Sequence, residues 1–261
     1  MIPKKPVFFD FETFSNPLRN HIHRVYACGW MHKDRYYQSW GKNALKEFTA
    51  WCLHFALSTE KKDPKIRLIG FNNSRFDNFF LMREIVHNGL QPIFTMSDSS
   101  SILSIELGRM KIWDLIRFLP GYSLSKVCQD FNAPSDMIKS AFPHFFITDW
   151  DKLDYEGPVP TKVFWPKKYI PNYIDQEDNH WNLKKECLFY LKKDVLATKW
   201  VFETLKTYIH ECFYVNLEDY LTISHMSWEL WAACTVQKMV KGEKEKQVPM
   251  LCPVMNGMYS F

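Results

Sequence analysis

The first organised alternation of apolar and polar positions lies at residues 6–13, Pro-Val-Phe-Phe-Asp-Phe-Glu-Thr. Successive side chains of a strand point to opposite faces, so Asp10 and Glu12 share one face. Phe9 and Phe11 fall on the other, where a core would take them. Residues 24–30 and 36–40, rich in Val, Tyr and Trp, read as an antiparallel pair joined around Lys33 and Asp34. Leu45, Phe48, Trp51, Cys52 and Phe55 then recur at helical spacing, which predicts a helix over 44–58. A strand at 66–71, capping residues at 72–74 and a helix at 76–88 follow, closing near Asn88 and Gly89.

Short strands are expected over 91–96 and 101–114, and Ser123 opens a helix that runs to about Phe131. Residues 140–180 carry many Pro and aromatic residues with little periodicity. They read as irregular structure packed over the sheet. A long helix over 182–210 has an apolar stripe at Leu188, Leu191, Val195, Leu196 and Phe202, and another covers 225–240. Strand, antiparallel pair, helix, strand and helix predict an α/β fold with a mixed sheet flanked by helices. An antiparallel pair ahead of the crossover separates it from a doubly wound sheet. No Gly-rich phosphate loop occurs either, so nucleotide-cofactor readings fall away.

Composition narrows the class further. With 46% hydrophobic and 24% charged residues the chain is a folded protein, not a disordered one. A net charge of +4 permits nucleic-acid binding without requiring it. The seven cysteines form no C-x-x-C pair, which excludes a zinc ribbon or dithiol motif and fits free thiols in a reducing compartment. No run is apolar enough for a bilayer or a signal region, so the expectation is a soluble intracellular protein with no membrane partner.

Three acidic sites carry candidate chemistry. Asp10 and Glu12, side by side, repel unless a cation lies between them, which favours a divalent metal. Asp77 falls in the first turn of a helix at the sheet's carboxyl edge, where α/β proteins place ligands; the helix dipole favours an acid there in any case. Tyr190 and Asp194 stand four apart on one helix face. There a phenol could orient water beside a metal-binding carboxylate. The blander reading is an exposed Asp194 paired with Lys192 or Lys193.

Taken in order, Asp10-x-Glu12, Asn73-x-x-Phe76-Asp77 and Tyr190-x-x-x-Asp194 resemble the three motifs of the DEDDy 3′–5′ proofreading nucleases. The pattern is similar to the exonuclease domain of protein-primed family B DNA polymerases of viruses, linear plasmids and self-synthesising transposons. The stretch 113–124, the Lys139-x-x-Phe142-Pro143-His144 segment and residues 155–160 extend the likeness to residues 6–205. Asn72, where a His is common, and Leu115, where a Ser is usual, depart from the family pattern.

The resemblance implies a ribonuclease H-like mixed sheet. It also implies an exonuclease domain over 1–210, and a helical extension over 211–261 leading toward an absent polymerase palm. Asp10, Glu12, Asp77 and Asp194 would bind two Mg²⁺ or Mn²⁺ ions, Tyr190 would align the attacking water, and Lys139 would approach the scissile phosphate. Thr13, Asn73, Phe76 and His144 would contact the 3′ end of single-stranded DNA. The expected reaction is two-metal hydrolysis of 3′-terminal nucleotides. The palm motifs Asp-x-x-Ser-Leu-Tyr-Pro and Asp-Thr-Asp do not occur in the sequence. A fragment or stand-alone nuclease is therefore expected, with the palm region and a terminal protein as further partners. One alternative is a catalytically silent module that binds single strands or the terminal protein, and another is a nuclease that trims RNA.

Overall fold

The computed structural model describes residues 4–15, 22–60, 65–97, 100–137, 141–167 and 180–241. Lys139 and the closing stretch 254–261 lie outside the described residues. The backbone divides into two compact units, Met1–Phe202 and Glu203–Phe261.

The first unit opens with β1 (Lys4–Ser15), β2 (His23–His32) and β3 (Arg35–Trp40), an antiparallel meander. Lys33 and Asp34 both adopt positive φ, 49° and 61°, as a two-residue hairpin matched to strand twist requires. Helix α1 (Ala44–Ala56) then crosses to β4 (Lys65–Gly70), which lies parallel to β1. Next come α2 (Asp77–His87) and the antiparallel strands β5 (Ile93–Met96), β6 (Ile102–Leu107) and β7 (Met110–Asp114). Because β7 pairs in parallel with β4, the sheet order is β3-β2-β1-β4-β7-β6-β5. This is the ribonuclease H-like mixed sheet that the resemblance implied.

Two hydrophobic clusters cover the two faces of the sheet. Val7, Phe9 and Phe11 from β1 join Phe48 and Cys52 of α1 and Leu81 and Ile85 of α2. Phe48 stacks on Phe9 at 5.6 Å between centroids and meets Phe11 edge-on at 5.2 Å. Each such aromatic, fully buried, stabilises the fold by about 1.5–3 kcal/mol. On the opposite face, Phe14 and Tyr26 pack with Phe142, Phe146, Trp181 and the helix α4 (Leu183–Phe213) through Leu183, Cys187 and Leu191. Asp10 and Glu12 project toward this second face.

Between β7 and α4, Ser123 caps the short helix α3 (Leu124–Asp130) by accepting from the Lys126 N–H. Residues 141–167 form 3-10 turns, and β8 (Glu156–Gly157) pairs with β9 (Trp181–Asn182), in keeping with the irregular packed structure expected there. One local expectation fails. Residues 72–74 do not cap α2: Asn73–Arg75 is a 3-10 turn, and the N-cap residue Phe76 makes no side-chain capping bond. The backbone N–H groups of Asn72 and Ser74 turn instead toward Asp114.

In the second unit, Lys206 pairs with Glu218 at 2.7 Å, and α5 (Ile223–Lys241) carries two exposed, mutually packed indoles, Trp228 and Trp231. Among the described residues no helix is long and apolar enough to cross a membrane.

Candidate active site

Strand alternation in β1 and the helical repeat in α4 bring three carboxylates together. One oxygen each from Asp10, Glu12 and Asp194 lies within 4.8 Å of the others. Glu12 is 6% exposed and Asp194 only 3%, so Asp194 is no solvated acid. Lys192 lies over the Tyr36 ring and Lys193 over the Phe189 ring. Two buried carboxylates and a half-buried third this close are unfavourable without a compensating cation, so the donor set suits a hard divalent metal such as Mg²⁺ or Mn²⁺.

The register of β1 against β2 explains how α4 comes so near. Gly29 sits opposite Asp10. A Cβ there would fall 2.6 Å from the Tyr36 hydroxyl and 2.9 Å from Cγ of Leu191. Glycine thus lets α4 settle against the strand pair beside the acids. The register of β1 slips between Glu12 and Thr13, which re-aims the chain after the second carboxylate.

Asp77 is not one of the three converging groups. It opens α2, 7% exposed, close enough to Glu12 for their charges to interact. Burial pushes its carboxyl up to about 8, against the pull of its own backbone hydrogen bond, with repulsion from Glu12 and then Asp114 adding to the rise. Tyr190 is 2% exposed and hydrogen-bonds Asp194. Burial first, and then Asp194, Glu12 and Asp10, hold its phenol protonated far above the usual range. The hydroxyl is therefore a donor throughout the physiological range.

His144 stands at the rim with Nδ1 3.4 Å from Oε2 of Glu12, its ring edge-on to Tyr190 at 5.2 Å. Phe142 stacks on the other side of Tyr190 at 5.3 Å. A second cluster flanks the acids: the Thr13 hydroxyl lies 3.4 Å from Nδ1 of His23, and His23 meets Phe76 edge-on at 5.0 Å. Phe76 remains 37% exposed. Asn73, by contrast, is buried, its amide set between the Asn78 side chain at 2.8 Å and the Trp113 carbonyl at 3.3 Å.

Sequence reasoning passed over Asp114. Its fully buried carboxylate accepts from the backbone N–H groups of Asn72 (2.8 Å), Ser74 (2.9 Å) and Ile116 (3.1 Å). Burial raises its carboxyl while these bonds oppose the rise. An Asp ending a strand just before a turn is an N-cap signal that could have exposed it. The Asn73 side chain reaches back under Gly70, where a Cβ would lie 2.8 Å from the Asn73 amide carbon. His23 and Gly29 carried no signal of their own.

Residues 58–261 match the profile of a family described as DNA polymerase type B, organellar and viral. The chain belongs to this family. The family match begins beyond Asp10 and Glu12. The chain is 29% identical over 144 residues to a probable DNA polymerase of Neurospora intermedia, covering 51% of this chain and 15% of that one. It is 24% identical over 209 residues to a probable DNA polymerase of Agaricus bitorquis, covering 73% and 25%. Among solved structures, the family B DNA polymerase of the archaeon Pyrobaculum calidifontis aligns with a TM-score of 0.49 and 15% identity, over 78% of this chain and 24% of that one. This type B chain thus spans a quarter or less of the length of these relatives.

Proposed function

We propose that this chain is the 3′–5′ exonuclease portion of a family B DNA polymerase, acting on 3′ ends of single-stranded DNA. The observation that carries the reading is the convergence of Asp10, Glu12 and Asp194 beside the protonated Tyr190 hydroxyl. Asp10, Glu12 and Asp194 would hold divalent metal, with Asp77 completing the acidic wall. Bound metal supplies charge neutralisation at the phosphodiester and a water of lowered pKa.

The chain's own residues account for the remainder. The Tyr190 hydroxyl donates its one proton to Asp194, and its oxygen is left to accept from the attacking water and fix its orientation. Phe76 offers a ring face to a base, a sequence-tolerant interaction worth about 1–3 kcal/mol. Thr13 and His144 supply polar edges on either side of the acids. Asn73, buried beneath them, holds the turn that presents Phe76. Attack on the terminal phosphorus breaks the bond to the 3′ oxygen of the penultimate nucleotide and releases a nucleoside monophosphate. Lys139 belongs to the proposed catalytic set on the resemblance alone. The polymerase palm and any terminal protein are proposed partners on the same footing.

The test is shortening of 5′-labelled single strands in Mg²⁺, with Asp10→Ala as control. Stepwise loss of 3′ nucleotides, abolished in the variant with its melting unchanged, is expected. Strand binding without shortening would replace this reading with that of a silent binding module. Faster trimming of RNA than of DNA of the same sequence would overturn the substrate.

A further inference from the structure

Strand β3 contributes a side chain that the proposed reaction does not use. Tyr36 lies opposite Met31 in the register of β2 and β3, and Met31 shares a face of the sheet with Gly29, two positions back. Gly29 in turn lies opposite Asp10. Tyr36, Gly29 and Asp10 therefore stand on one face, on three neighbouring strands. The Tyr36 ring runs over Gly29, with its hydroxyl 2.6 Å from where a Cβ of residue 29 would be. Cβ atoms of directly opposed residues are about 4.5–5.5 Å apart. The hydroxyl thus takes the place of Asp10's cross-strand neighbour, which glycine leaves open.

Tyr36 as a whole is half-buried, but its hydroxyl oxygen is buried and makes no hydrogen bond among the described residues. A buried hydroxyl in that state is unfavourable, so the acceptors it faces matter. Burial chiefly pushes the phenol up, and Cys187, Asp10, Cys28 and Glu12 add to the rise in that order. Cys187 and Cys28 are thiols that burial keeps protonated, hence weak acceptors, and the Cys187 sulfur already meets the Tyr26 hydroxyl at 3.5 Å. Among these groups the strong acceptors are the carboxylates, with Asp10 acting on the phenol more strongly than Glu12. The ring is held in place from α4. The Lys192 ammonium lies 5.7 Å from its centroid, and Lys199 pairs with Asp34 at the hairpin that leads into β3.

We infer that Tyr36 is a positioning residue for the metal site: its hydroxyl donates, through one bridging water, to the Asp10 carboxylate and sets the orientation in which Asp10 binds the ion. The inference rests on the nuclease reading. A carboxylate ligand has two oxygens and turns about its Cβ–Cγ bond. A donor on one oxygen selects the rotamer that keeps the other beside Glu12 and Asp194. Tyr36 thereby does for Asp10 from β3 what Tyr190 does for Asp194 on α4.

The experiment titrates Mn²⁺ into the full chain by calorimetry, alongside thermal melts in EDTA, for wild type, Tyr36→Phe, Asp10→Asn and the double variant. Tyr36→Phe should weaken Mn²⁺ binding about 10-fold, the lower end of the range for donors behind a metal ligand. Its melt in EDTA should stay level or rise, because the hydroxyl removed has no protein partner. In the Asp10→Asn background the same change should cost less than about twofold in affinity, since the carboxylate it acts on is gone. Mn²⁺ affinity of Tyr36→Phe within about twofold of wild type would overturn the inference, whatever its melt, and would leave Tyr36 a packing residue. An equal fold-loss in both backgrounds would overturn the link to Asp10. A wild-type chain that binds no Mn²⁺ would remove the nuclease reading itself, and is told apart by needing no variant.

Discussion

Replacing Asp77 by Asn should stabilise the metal-free protein while disabling it. The Asp77 carboxyl sits at about 8 in the folded chain against a usual value of 3.8. Between those two values the folded state keeps a proton that the unfolded state has lost. Stability in EDTA therefore falls as pH rises from about 4 to 8, and levels above it. At 1.36 kcal/mol per pH unit, the penalty carried at pH 7 reaches an upper figure of about 4 kcal/mol. Asparagine fills the same space and does not ionise, so the variant escapes it. For a unit of this size, 1 kcal/mol moves the melting temperature by about 2–4 °C. Thermal melts from pH 5 to 9 in EDTA should show wild type declining and Asp77→Asn nearly level, the variant melting about 5–15 °C higher at pH 8. Adding Mn²⁺ should raise the wild-type melt far more than that of the variant, because the ion takes over the proton's role. Equal pH slopes, or a variant less stable than wild type at pH 8, would refute the account of Asp77 as a strained, ion-seeking carboxylate.

Further outcomes follow from the geometry. Gly29→Ala should destabilise the fold by about 1–3 kcal/mol by overpacking against Leu191, and should lower nuclease activity together with the melting temperature. Asp114→Asn keeps the volume but loses acceptor capacity for three N–H groups. Amide exchange at Asn72 and Ser74 should quicken, with a stability loss of about 1–3 kcal/mol seen in urea titration. Tyr190→Phe should cut turnover about 10–100-fold while Mn²⁺ affinity, followed by calorimetry, stays within about twofold. Loss of metal affinity in that variant would instead make Tyr190 a support for Asp194.

Elements with strict periodicity were legible from the chain. Alternation in β1 placed Asp10 and Glu12 opposite Phe9 and Phe11, and the Lys33-Asp34 hairpin, the Ser123 cap and α4 fall where their patterns put them. The turn after β4 was not legible. Asn72, Asn73 and Ser74 are good capping residues by type, but their backbone is drawn to a carboxylate some 40 positions along the chain, a contact no local window contains. Asp194 looked like a surface acid following two lysines, because helical spacing fixes a face but not what covers it. Asp77 shares the acidic neighbourhood but stands outside the tight trio, a distinction that spacing cannot resolve.

The acidic trio draws on the two extremes of its unit, with Asp10 and Asp194 about 180 residues apart along the chain. During synthesis at about 5–20 residues per second, the third carboxylate emerges roughly 10–40 s after the first. A nascent chain broken off before α4 would hold the opening hairpin and its paired acids, yet lack both Asp194 and Tyr190. The proposed nuclease capability would thus switch on only when translation has passed α4, so incomplete products would not carry it.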